Sequence, residues 1–291
     1  MRLVTFSASS MPIRTGVLVD GGVVDVTESG LPADMADLIR LGDAGLEAAA
    51  EVAARGSPIS LEGITIHAPL PRTPKNVMCV GRNYREHAAE FSRSGFDASE
   101  RSVVPEHPVI FTKAATSIIG PEQPIVLAND PTGTVDYEGE LGVVIGRAGR
   151  RIPEADALGY VLGYTIVNDV TARDLQNRHV QWFIGKSPDT FCPMGPSIVT
   201  TEELPDVTAS WLRTHVNGEL RQEAPISSLI FDIPSLIHTI SETILLEPGD
   251  VIATGTPAGA GIGFDPPRFL SPGDRVEVSV DGIGTLGNPV T

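Results

Sequence analysis

Short strand-like segments, separated by turn-forming residues, fill most of the chain after residue 75 and constrain the fold more than any other feature. Their apolar, β-branched composition and their bounding Gly, Pro and Asp residues are typical of strands. The candidate segments are residues 76–80, 109–112, 141–145, 160–168, 211–216, 250–254 and 275–280. Two Pro-Gly-Asp turns, at 248–250 and 272–274, each precede one of them. Because the order is neither a regular β-α-β alternation nor a repeat, the sequence predicts an α+β fold that is mainly β, with peripheral helices.

Two regions carry clear helical signals. Residues 233–244 follow Asp232, a predicted N-cap, and have Pro234 in the first turn. Their apolar side chains recur at helical spacing, at Ile233, Leu236, Ile237, Ile240 and Ile244. Residues 31–55 are rich in Ala and Leu, are broken by Gly42 and Gly45, and follow a predicted β-hairpin at 16–26.

A proline-rich stretch at residues 69–74 cannot lie inside a helix or a central strand. We therefore predict a small N-terminal α+β domain over residues 1–70 and a main domain over residues 71–291.

The charge balance and the cysteine content argue against several classes of protein. The formal net charge is −16, from 21 Lys and Arg against 37 Asp and Glu, which argues against nucleic acid and anionic membranes as partners. No apolar run approaches the roughly 18 residues of a membrane span, and the first residues lack the apolar core of a signal peptide. Cys79 and Cys192 lie far apart, and the six histidines form no zinc-binding pattern. We therefore expect a cytoplasmic protein with reduced thiols and no zinc site.

Two glutamates one residue apart, Glu138 and Glu140, interrupt a segment that otherwise has the composition of a buried strand. Strand side chains alternate between faces, so both carboxylates point the same way, about 6.6 Å apart along the strand. Two buried carboxylates need a neutralising partner, and a divalent cation supplies it compactly. The alternative is an exposed strand end with two solvated acids, and these residues alone favour neither interpretation.

A third carboxylate stands at the end of another predicted strand. Asp169 directly follows residues 160–168 and precedes a predicted helical turn at 171–176. It could cap that turn, or it could join the two glutamates in binding a cation. Three carboxylates from two strands form a hard-oxygen site suited to Mg²⁺, with Mn²⁺ or Ca²⁺ as alternatives. Such a site leaves coordination positions open for water and substrate, as a catalytic cation requires.

A histidine and a glutamate share one face of a predicted short helix after the strand 76–80. His87 and Glu90 are three residues apart, so the carboxylate can orient the imidazole and raise its basicity, forming a water-activating dyad. The alternative is that His87 only packs with Tyr84, Ala88 and Phe91 on an amphipathic face. The polar stretch 92–106 that follows is long for a connection, which predicts either a mobile lid or a disordered excursion.

Basic residues are scarce, so their positions near these acids are informative. Lys113 ends a predicted strand, Arg173 follows Asp169 by four residues, and Lys186 lies in a Gly-Lys-Ser segment. Cations beside a metal site can hold an anionic substrate or stabilise a developing enolate, although each one taken singly is more often a surface charge. The glycine-rich residues 255–263 lack the spacing and the following helix of a dinucleotide loop. We expect them to form a tight loop that passes close to a ligand, and a plain surface loop is the alternative.

Taken together, these segments resemble the fumarylacetoacetate hydrolase superfamily. The matching motifs occur in the family's order and cover about residues 75–291. They are Gly81-Arg82-Asn83-Tyr84 with His87 and Glu90, Asp136-Tyr137-Glu138-Gly139-Glu140, residues 168–176, Gly185-Lys186-Ser187, residues 249–257 and Gly287-Asn288-Pro289-Val290. A single motif of this kind is weak, whereas the ordered set is specific.

The resemblance implies a main domain shaped as a mixed β-sandwich roll, usually dimeric, with a Mg²⁺ or Mn²⁺ site. It implies that Glu138, Glu140 and Asp169 are the metal ligands, and that His87 and Glu90 form the dyad on a lid at about residues 82–107. Lys186 would face the reacting carbonyl or enolate. The residues expected to contact the substrate are Arg82, Tyr84, Lys113, Arg173, Gln176 and Thr256.

One departure from the family's pattern narrows the range of expected substrates. The fumarylacetoacetase branch proper has a fourth carboxylate ligand in the segment that corresponds to residues 81–84, and it takes its dyad glutamate from a distant position. Residues 81–84 contain no acid here. The chain therefore resembles the shorter bacterial branch of acylpyruvate hydrolases, oxaloacetate decarboxylases and 2-hydroxyhepta-2,4-diene-1,7-dioate isomerases, which argues against fumarylacetoacetate as its substrate.

The expected activity is hydrolysis of a C–C bond in a small anionic 2,4-dioxo acid. The cation would chelate the 1-carboxylate and 2-oxo oxygens, the His87–Glu90 pair would activate a water that attacks C4, and Lys186 would assist the departing metal-bound enolate. Decarboxylation or tautomerisation at the same site is the alternative, because both also pass through an enolate and neither needs an attacking water. A third hypothesis is a metal-binding homologue without activity, against which the retention of the whole residue set argues.

Overall fold

A computed structural model describes residues 1–8, 11–95 and 104–291 of the chain. In these ranges the helices are α1 (Met35–Arg40), α2 (Gly42–Arg55), α3 (Arg85–Arg93), α4 (Arg173–Arg178), α5 (Phe183–Lys186) and α6 (Ile233–Ser241). The strands are β1 (Arg2–Ala8), β2 (Arg14–Val19), β3 (Gly22–Asp25), β4 (Ile64–His67), β5 (Val77–Gly81), β6 (Val109–Lys113), β7 (Ile118–Ile119), β8 (Val135–Asp136), β9 (Gly139–Ile145), β10 (Val161–Asn168), β11 (Thr171–Ala172), β12 (Cys192–Thr200), β13 (Trp211–Val216), β14 (Glu219–Pro225), β15 (Val251–Ala253), β16 (Arg275–Val280) and β17 (Gly284–Pro289). The predicted fold class, α+β and mainly β, is confirmed.

The largest sheet has eleven strands and carries the candidate site. Its main path runs β3-β2-β1-β12-β10-β9-β15-β5-β6, with β4 paired to β1 and β7 paired to β12. Neighbours on this path are antiparallel except β15 and β5, which are parallel. Because β1 pairs with β12, the N-terminal strands extend the main sheet. The domain division at residue 70 stays a prediction.

Each of the seven segments predicted as strands contains one, but three strands of six or more residues after residue 75 were not predicted. One is β12, which lies in the middle of the main sheet although it contains Pro193 and Pro196. Proline cannot donate to a ladder, and the pairing of β12 with β10 shifts register between Tyr164 and Ile166. The other two, β14 and β17, complete a four-stranded sheet of order β14-β13-β16-β17.

The helices follow the predicted breaks and caps with two corrections. The break at Gly42 is confirmed, because α1 ends at Arg40 and α2 begins at Gly42, which has φ 63°. The predicted break at Gly45 is wrong, because Gly45 lies inside α2. The carboxylate of Asp232 accepts a hydrogen bond from Ser235 N at 2.9 Å, as expected of the N-cap of α6. The prediction that this helix includes Ile244 is wrong: α6 ends at Ser241, and Ile244 lies in the turn beyond it, 40% exposed. Among the described helices the longest has 14 residues, and none has both the length and the apolar character needed to cross a bilayer.

Strands β9 and β10 are buried on both faces along their whole length. Leu141 and Val143 pack in a cluster that includes Val278 of the second sheet. Val144 points to the opposite side and packs in a cluster that includes Leu38 of α1. Side chains at the start of β9 and at the end of β10 therefore enter a covered interior of low dielectric constant.

Candidate metal and substrate site

The three predicted metal ligands lie together where β9 begins and β10 ends. Glu138 directly precedes β9, and its carbonyl oxygen accepts a hydrogen bond from Asp169 N at 2.8 Å. The side chain of Asn168 also accepts from Glu138 N at 3.0 Å, so the antiparallel pairing of the two strands fixes both carboxylates at one edge. One oxygen from each of Glu138, Glu140 and Asp169 lies within 4.8 Å of the others.

The structure excludes the two alternative interpretations of these acids, a solvated strand end and a helix cap. Glu138, Glu140 and Asp169 are 4%, 1% and 0% exposed, so they are not a solvated strand end. Asp169 does not cap the following helix, because α4 has Ala172 at its N-cap and no side-chain cap. The carboxylate of Asp169 instead faces two lysines.

Three buried cations surround the carboxylates. Lys186 Nζ donates to Glu138 Oε2 at 2.8 Å and to Asp169 Oδ2 at 2.7 Å. Lys113 Nζ lies 2.7 Å from Asp169 Oδ1 and donates to the carbonyls of Val170 and Lys186. Arg173 Nη2 lies 2.7 Å from Glu138 Oε1. Together with the buried Asp136, which pairs with the same guanidinium, four carboxylates meet three cations, and the cluster keeps an excess of negative charge.

The carboxylates differ in how well their charges are compensated. Burial alone would raise the pKa of Glu138, but Lys186, Arg173 and His87 outweigh it and hold that pKa well below its usual range. Burial and the charges of Asp169 and Glu138 raise the pKa of Glu140 well above its usual range. Glu140 is therefore the carboxylate whose ionised form an added positive charge would stabilise most.

The residues present fit a divalent cation. Asp169 Oδ1 is buried, and its contact is the ion pair with Lys113 Nζ at 2.7 Å, with no hydrogen-bond donor among the described residues. Glu140 Oε2 accepts from Gly255 N at 2.9 Å, which fixes that carboxylate. An all-oxygen donor set with surplus negative charge suits Mg²⁺ or Mn²⁺, and Glu138, Glu140 and Asp169 would hold the ion.

His87 faces the acidic triad from α3. Its Nε2 lies 3.9 Å from Glu138 Oε1 and its Nδ1 lies 3.6 Å from Glu90 Oε2, too far for a hydrogen bond. Both oxygens of Glu90 accept from Gly259 N, at 3.1 and 3.0 Å. His87 does pack on the buried face of α3 with Ala88 and Phe91, yet its ring also lines the pocket. The predicted dyad residues are adjacent, and the backbone of the glycine-rich loop holds the glutamate in place.

The glycine-rich loop, residues 255–263, supplies main-chain donors to three of the buried or half-buried carboxylates. Gly255 N donates to Glu140, Gly259 N to Glu90, and Gly261 N to Asp136. This arrangement accords with the prediction that the loop passes close to a ligand, because it binds the side chains that surround the pocket.

The predicted substrate contacts fall into two groups. Arg82, Arg173, Gln176 and Thr256 line the pocket together with His87 and Lys186. Tyr84 and Lys113 are buried but do not line it. Lys113 Nζ contacts Asp169 and the carbonyls of Val170 and Lys186, and its contact with a substrate stays a prediction. The predicted lid at residues 82–107 falls partly outside the described residues, which stop at 95 and resume at 104.

Sequence reasoning missed the aromatic part of the pocket. Phe91, Phe111 and Trp182 line it together with the charged residues. Two Phe residues on a helix and a strand look like ordinary core positions, and Trp182 lies in a segment without periodicity. Only the contact between segments far apart in the sequence shows their role.

The pocket is narrow, with about 290 Å³ of empty space including its open mouth. A larger cavity, about 1120 Å³ by the same measure, lies between α2 and the main sheet. Its lining contains no cluster of buried titratable groups, so the smaller pocket is the candidate site.

The sequence matches the family model described as fumarylacetoacetate (FAA) hydrolase C-terminal over residues 76–291, which confirms the resemblance drawn from the motifs. The oxaloacetate tautomerase YisK of Bacillus subtilis (strain 168) is 50% identical over 231 residues, 79% of this chain and 74% of the relative. The mitochondrial oxaloacetate tautomerase fahd2 of Xenopus laevis is 39% identical over 298 residues, 100% of this chain and 90% of the relative.

Solved structures agree over the whole chain. A fumarylacetoacetate hydrolase from Exiguobacterium antarcticum is 41% identical with a TM-score of 0.85, covering 100% of this chain and 99% of that one. A maleylpyruvate hydrolase from Sphingobium sp. SYK-6, solved in complex with manganese (II) ion and pyruvate, is 30% identical with a TM-score of 0.80 and the same coverage.

Proposed function

The chain belongs to the fumarylacetoacetate hydrolase family, and we propose that it catalyses keto–enol tautomerisation of a short 2-oxo dicarboxylic acid of the oxaloacetate type, with a divalent cation as cofactor. The observation that carries the proposal is the position of His87 between the acidic triad and Glu90, in a narrow pocket. Tautomerisation needs a group that both accepts and donates a proton, and imidazole does so near neutral pH. Both curated relatives described above are oxaloacetate tautomerases, which supports the same reaction.

The charges of the pocket suit a dianionic substrate. A cation held by Glu138, Glu140 and Asp169 would act as a Lewis acid on the substrate's 1-carboxylate and C2 oxygen. Arg82 is buried in the pocket wall, with its guanidinium carbon 5.1 Å from the centre of the Phe91 ring. Arg82 places a further positive charge in the wall of the pocket.

The reaction moves one proton between oxygen and carbon. In the enol-to-keto direction the O–H bond at C2 breaks, the C2–O bond becomes double, and the electrons of the C2=C3 bond form a C–H bond at C3. We assign the proton transfer at C3 to His87, with the nearby Glu90 stabilising the imidazolium form. Lys186, held in place by Glu138 and Asp169, would stabilise negative charge on the C2 oxygen.

Hydrolysis of an acylpyruvate, the activity expected from the sequence, is the second candidate. It is favoured by the full-length similarity to a maleylpyruvate hydrolase and by the adjacent His87 and Glu90, which could activate a water. Decarboxylation of oxaloacetate would use the same substrate and the same cation. These reactions differ in their products, so one set of assays separates them.

The test uses the purified chain with Mg²⁺ or Mn²⁺ in three assays: decay of the ultraviolet absorbance of enol oxaloacetate, pyruvate release from oxaloacetate, and pyruvate release from acylpyruvates. We expect accelerated enol decay that is lost in H87Q by a factor of about 100 or more. Rapid cleavage of acylpyruvates without acceleration of enol decay would overturn the tautomerase proposal in favour of hydrolysis. No turnover in any assay would identify an inactive homologue.

A further inference from the structure

We propose that Trp182 determines specificity at this site: with Phe91 and Phe111 it forms an aromatic wall that restricts the pocket to substrates with a short group beyond C3. The inference rests on the proposed function for its substrate class. Its closing experiment includes a binding measurement that does not depend on which reaction occurs.

The three rings form one packed unit. Trp182 lies in the connection between α4 and α5, and its ring contacts those of Phe111 and Phe91 edge to face, with centroids 5.2 and 5.7 Å apart. Edge-to-face contacts at these distances are favourable beyond the area they bury. The wall therefore has a defined position rather than being three independent side chains.

Gly81 provides the space that the indole occupies. A Cβ atom at this position would lie 2.4 Å from Trp182 Cζ3 and 2.9 Å from Cη2. The backbone of Gly81 has no positive φ, so the requirement for glycine comes from this contact and not from its conformation. The six-membered ring of Trp182 therefore lies directly on the main chain at the end of β5, and it cannot move closer to it.

The wall is also fixed relative to the charged groups of the site. Arg82 lies over the face of Phe91, and Lys186 Nζ lies 5.0 Å from the centre of the Phe111 ring. Lys186 N donates to the carbonyl of Trp182 at 3.0 Å, so a main-chain hydrogen bond across α5 links these two residues directly. A change in the wall therefore alters the shape of the pocket next to the groups that would hold the substrate.

The pocket is otherwise lined mostly by charged and polar side chains. Its empty space is about 290 Å³, a value that includes the open mouth. A four-carbon dicarboxylic acid needs little room beyond the polar groups, whereas a longer acyl chain must displace the rings. Trp182 is the largest of the three, so its truncation frees the most space.

The test compares W182A and W182F with W211F, a matched control at the only other tryptophan, which lies on β13, is 40% exposed and does not line the pocket. The rate measurement is kcat/KM for enol oxaloacetate and for 2,4-dioxo acids whose acyl group is lengthened by one to four carbons. We expect W182A to raise the long-to-short ratio by about tenfold or more, W182F to raise it less, and W211F to leave it unchanged. If Trp182 only stabilises the fold, W182A and W182F will lower all rates together and leave the ratio within twofold, which overturns the proposal.

The binding measurement uses oxalate and N-butyl oxamate in the presence of Mg²⁺, and binding is followed by thermal shift. W182F is expected to bind N-butyl oxamate at least several-fold more tightly than the wild type while its oxalate affinity changes little. If the wild type lacks tautomerase activity but this difference is seen, the tautomerase proposal is wrong and the specificity role of Trp182 is supported. If tautomerase activity is present and W182F shows no gain in affinity for N-butyl oxamate, the specificity role of Trp182 is wrong and the tautomerase proposal is supported.

Discussion

Arg173 and Asp136 form a fully buried ion pair, with Nε and Nη2 of the arginine 3.0 and 2.8 Å from Asp136 Oδ2. The same Nη2 lies 2.7 Å from Glu138 Oε1, so the pair continues into the acidic triad. Asp136 also accepts from Gly261 N at 2.7 Å and from Ile262 N at 3.1 Å. One carboxylate thus orients a guanidinium toward a candidate metal ligand and fastens the glycine-rich loop.

Replacing this carboxylate is expected to destabilise the protein strongly. D136N removes one of the two carboxylates that pair with the buried guanidinium of Arg173, and breaking a buried pair costs about 3–5 kcal/mol. Chemical denaturation measures the change in the free energy of unfolding. The matched control is D37N, which breaks the exposed pair of Asp37 with Arg40 and should cost less than about 1 kcal/mol. Equal losses in the two variants would contradict the importance assigned to the buried pair.

Glu140 is expected to reduce the stability of the metal-free protein. Its pKa is raised in the folded chain by burial and by Asp169 and Glu138, so the folded state binds more protons than the unfolded state above the ordinary glutamate pKa of about 4.3. The free energy of unfolding of the metal-free protein therefore falls as pH rises from about 4 through the raised pKa of Glu140. E140Q keeps an oxygen that can accept from Gly255 N and removes the charge.

We accordingly expect metal-free E140Q to be more stable than the wild type at pH 8, by about 1–2 kcal/mol, a gain typical of single stabilising substitutions. The difference in the free energy of unfolding between E140Q and the wild type should disappear at pH 4, where the wild-type carboxyl is protonated. Thermal unfolding in the presence of a chelator measures both values. A less stable E140Q at pH 8 would show that Glu140 is compensated within the metal-free protein.

Addition of Mg²⁺ is expected to stabilise the wild type. A cation that binds only the folded state adds about 2.7 kcal/mol at one hundred times its Kd, or roughly 5 °C or more in Tm for a chain of this size. A chelator should reverse the shift, and E140Q should show little of it. An equal Mg²⁺ shift in E140Q would mean that the ion binds elsewhere.

Glu90 is expected to act on the rate rather than on stability. E90Q keeps an oxygen that can accept from Gly259 N but removes the negative charge 3.6 Å from His87. We predict a kcat about 10–100 times lower, with Tm changed by only a few degrees. The control is E86Q, an exposed glutamate on the same helix. A Tm loss as large as that of D136N would instead assign Glu90 to holding the loop.

The sequence identified most strands of the main sheet but not β12, which lies inside it next to β10. Segments such as 141–145 and 211–216 have enough β-branched residues to predict strands, and each contains one. The strand β12 escaped prediction because Pro193 and Pro196 violate the usual ladder pattern, and a register shift accommodates them. That shift depends on the neighbouring strand, so no local signal reports it.

The convergence of the triad could be predicted because strand alternation and strand ends determine it. Glu138, Glu140 and Asp169 required only that two adjacent buried strands pair. The role of Lys113 could not be predicted in the same way, because its position behind Asp169 depends on the packing of β6 against distant segments. The contact of Trp182 with Gly81 joins residues about a hundred positions apart, which only the folded chain brings together.

The hydrogen bonds of the glycine-rich loop have a consequence for how this protein can diverge. Because main-chain amides make them, no exchange of side chains within the loop can delete a donor unless proline is introduced. A Cβ atom at Gly259 would lie 1.8 Å from Arg221 O, and one at Gly261 would lie 2.4 Å from Arg268 O, so these positions cannot accept larger residues either. Descendants of this sequence would therefore keep the loop unchanged and acquire new substrates through changes in the aromatic wall.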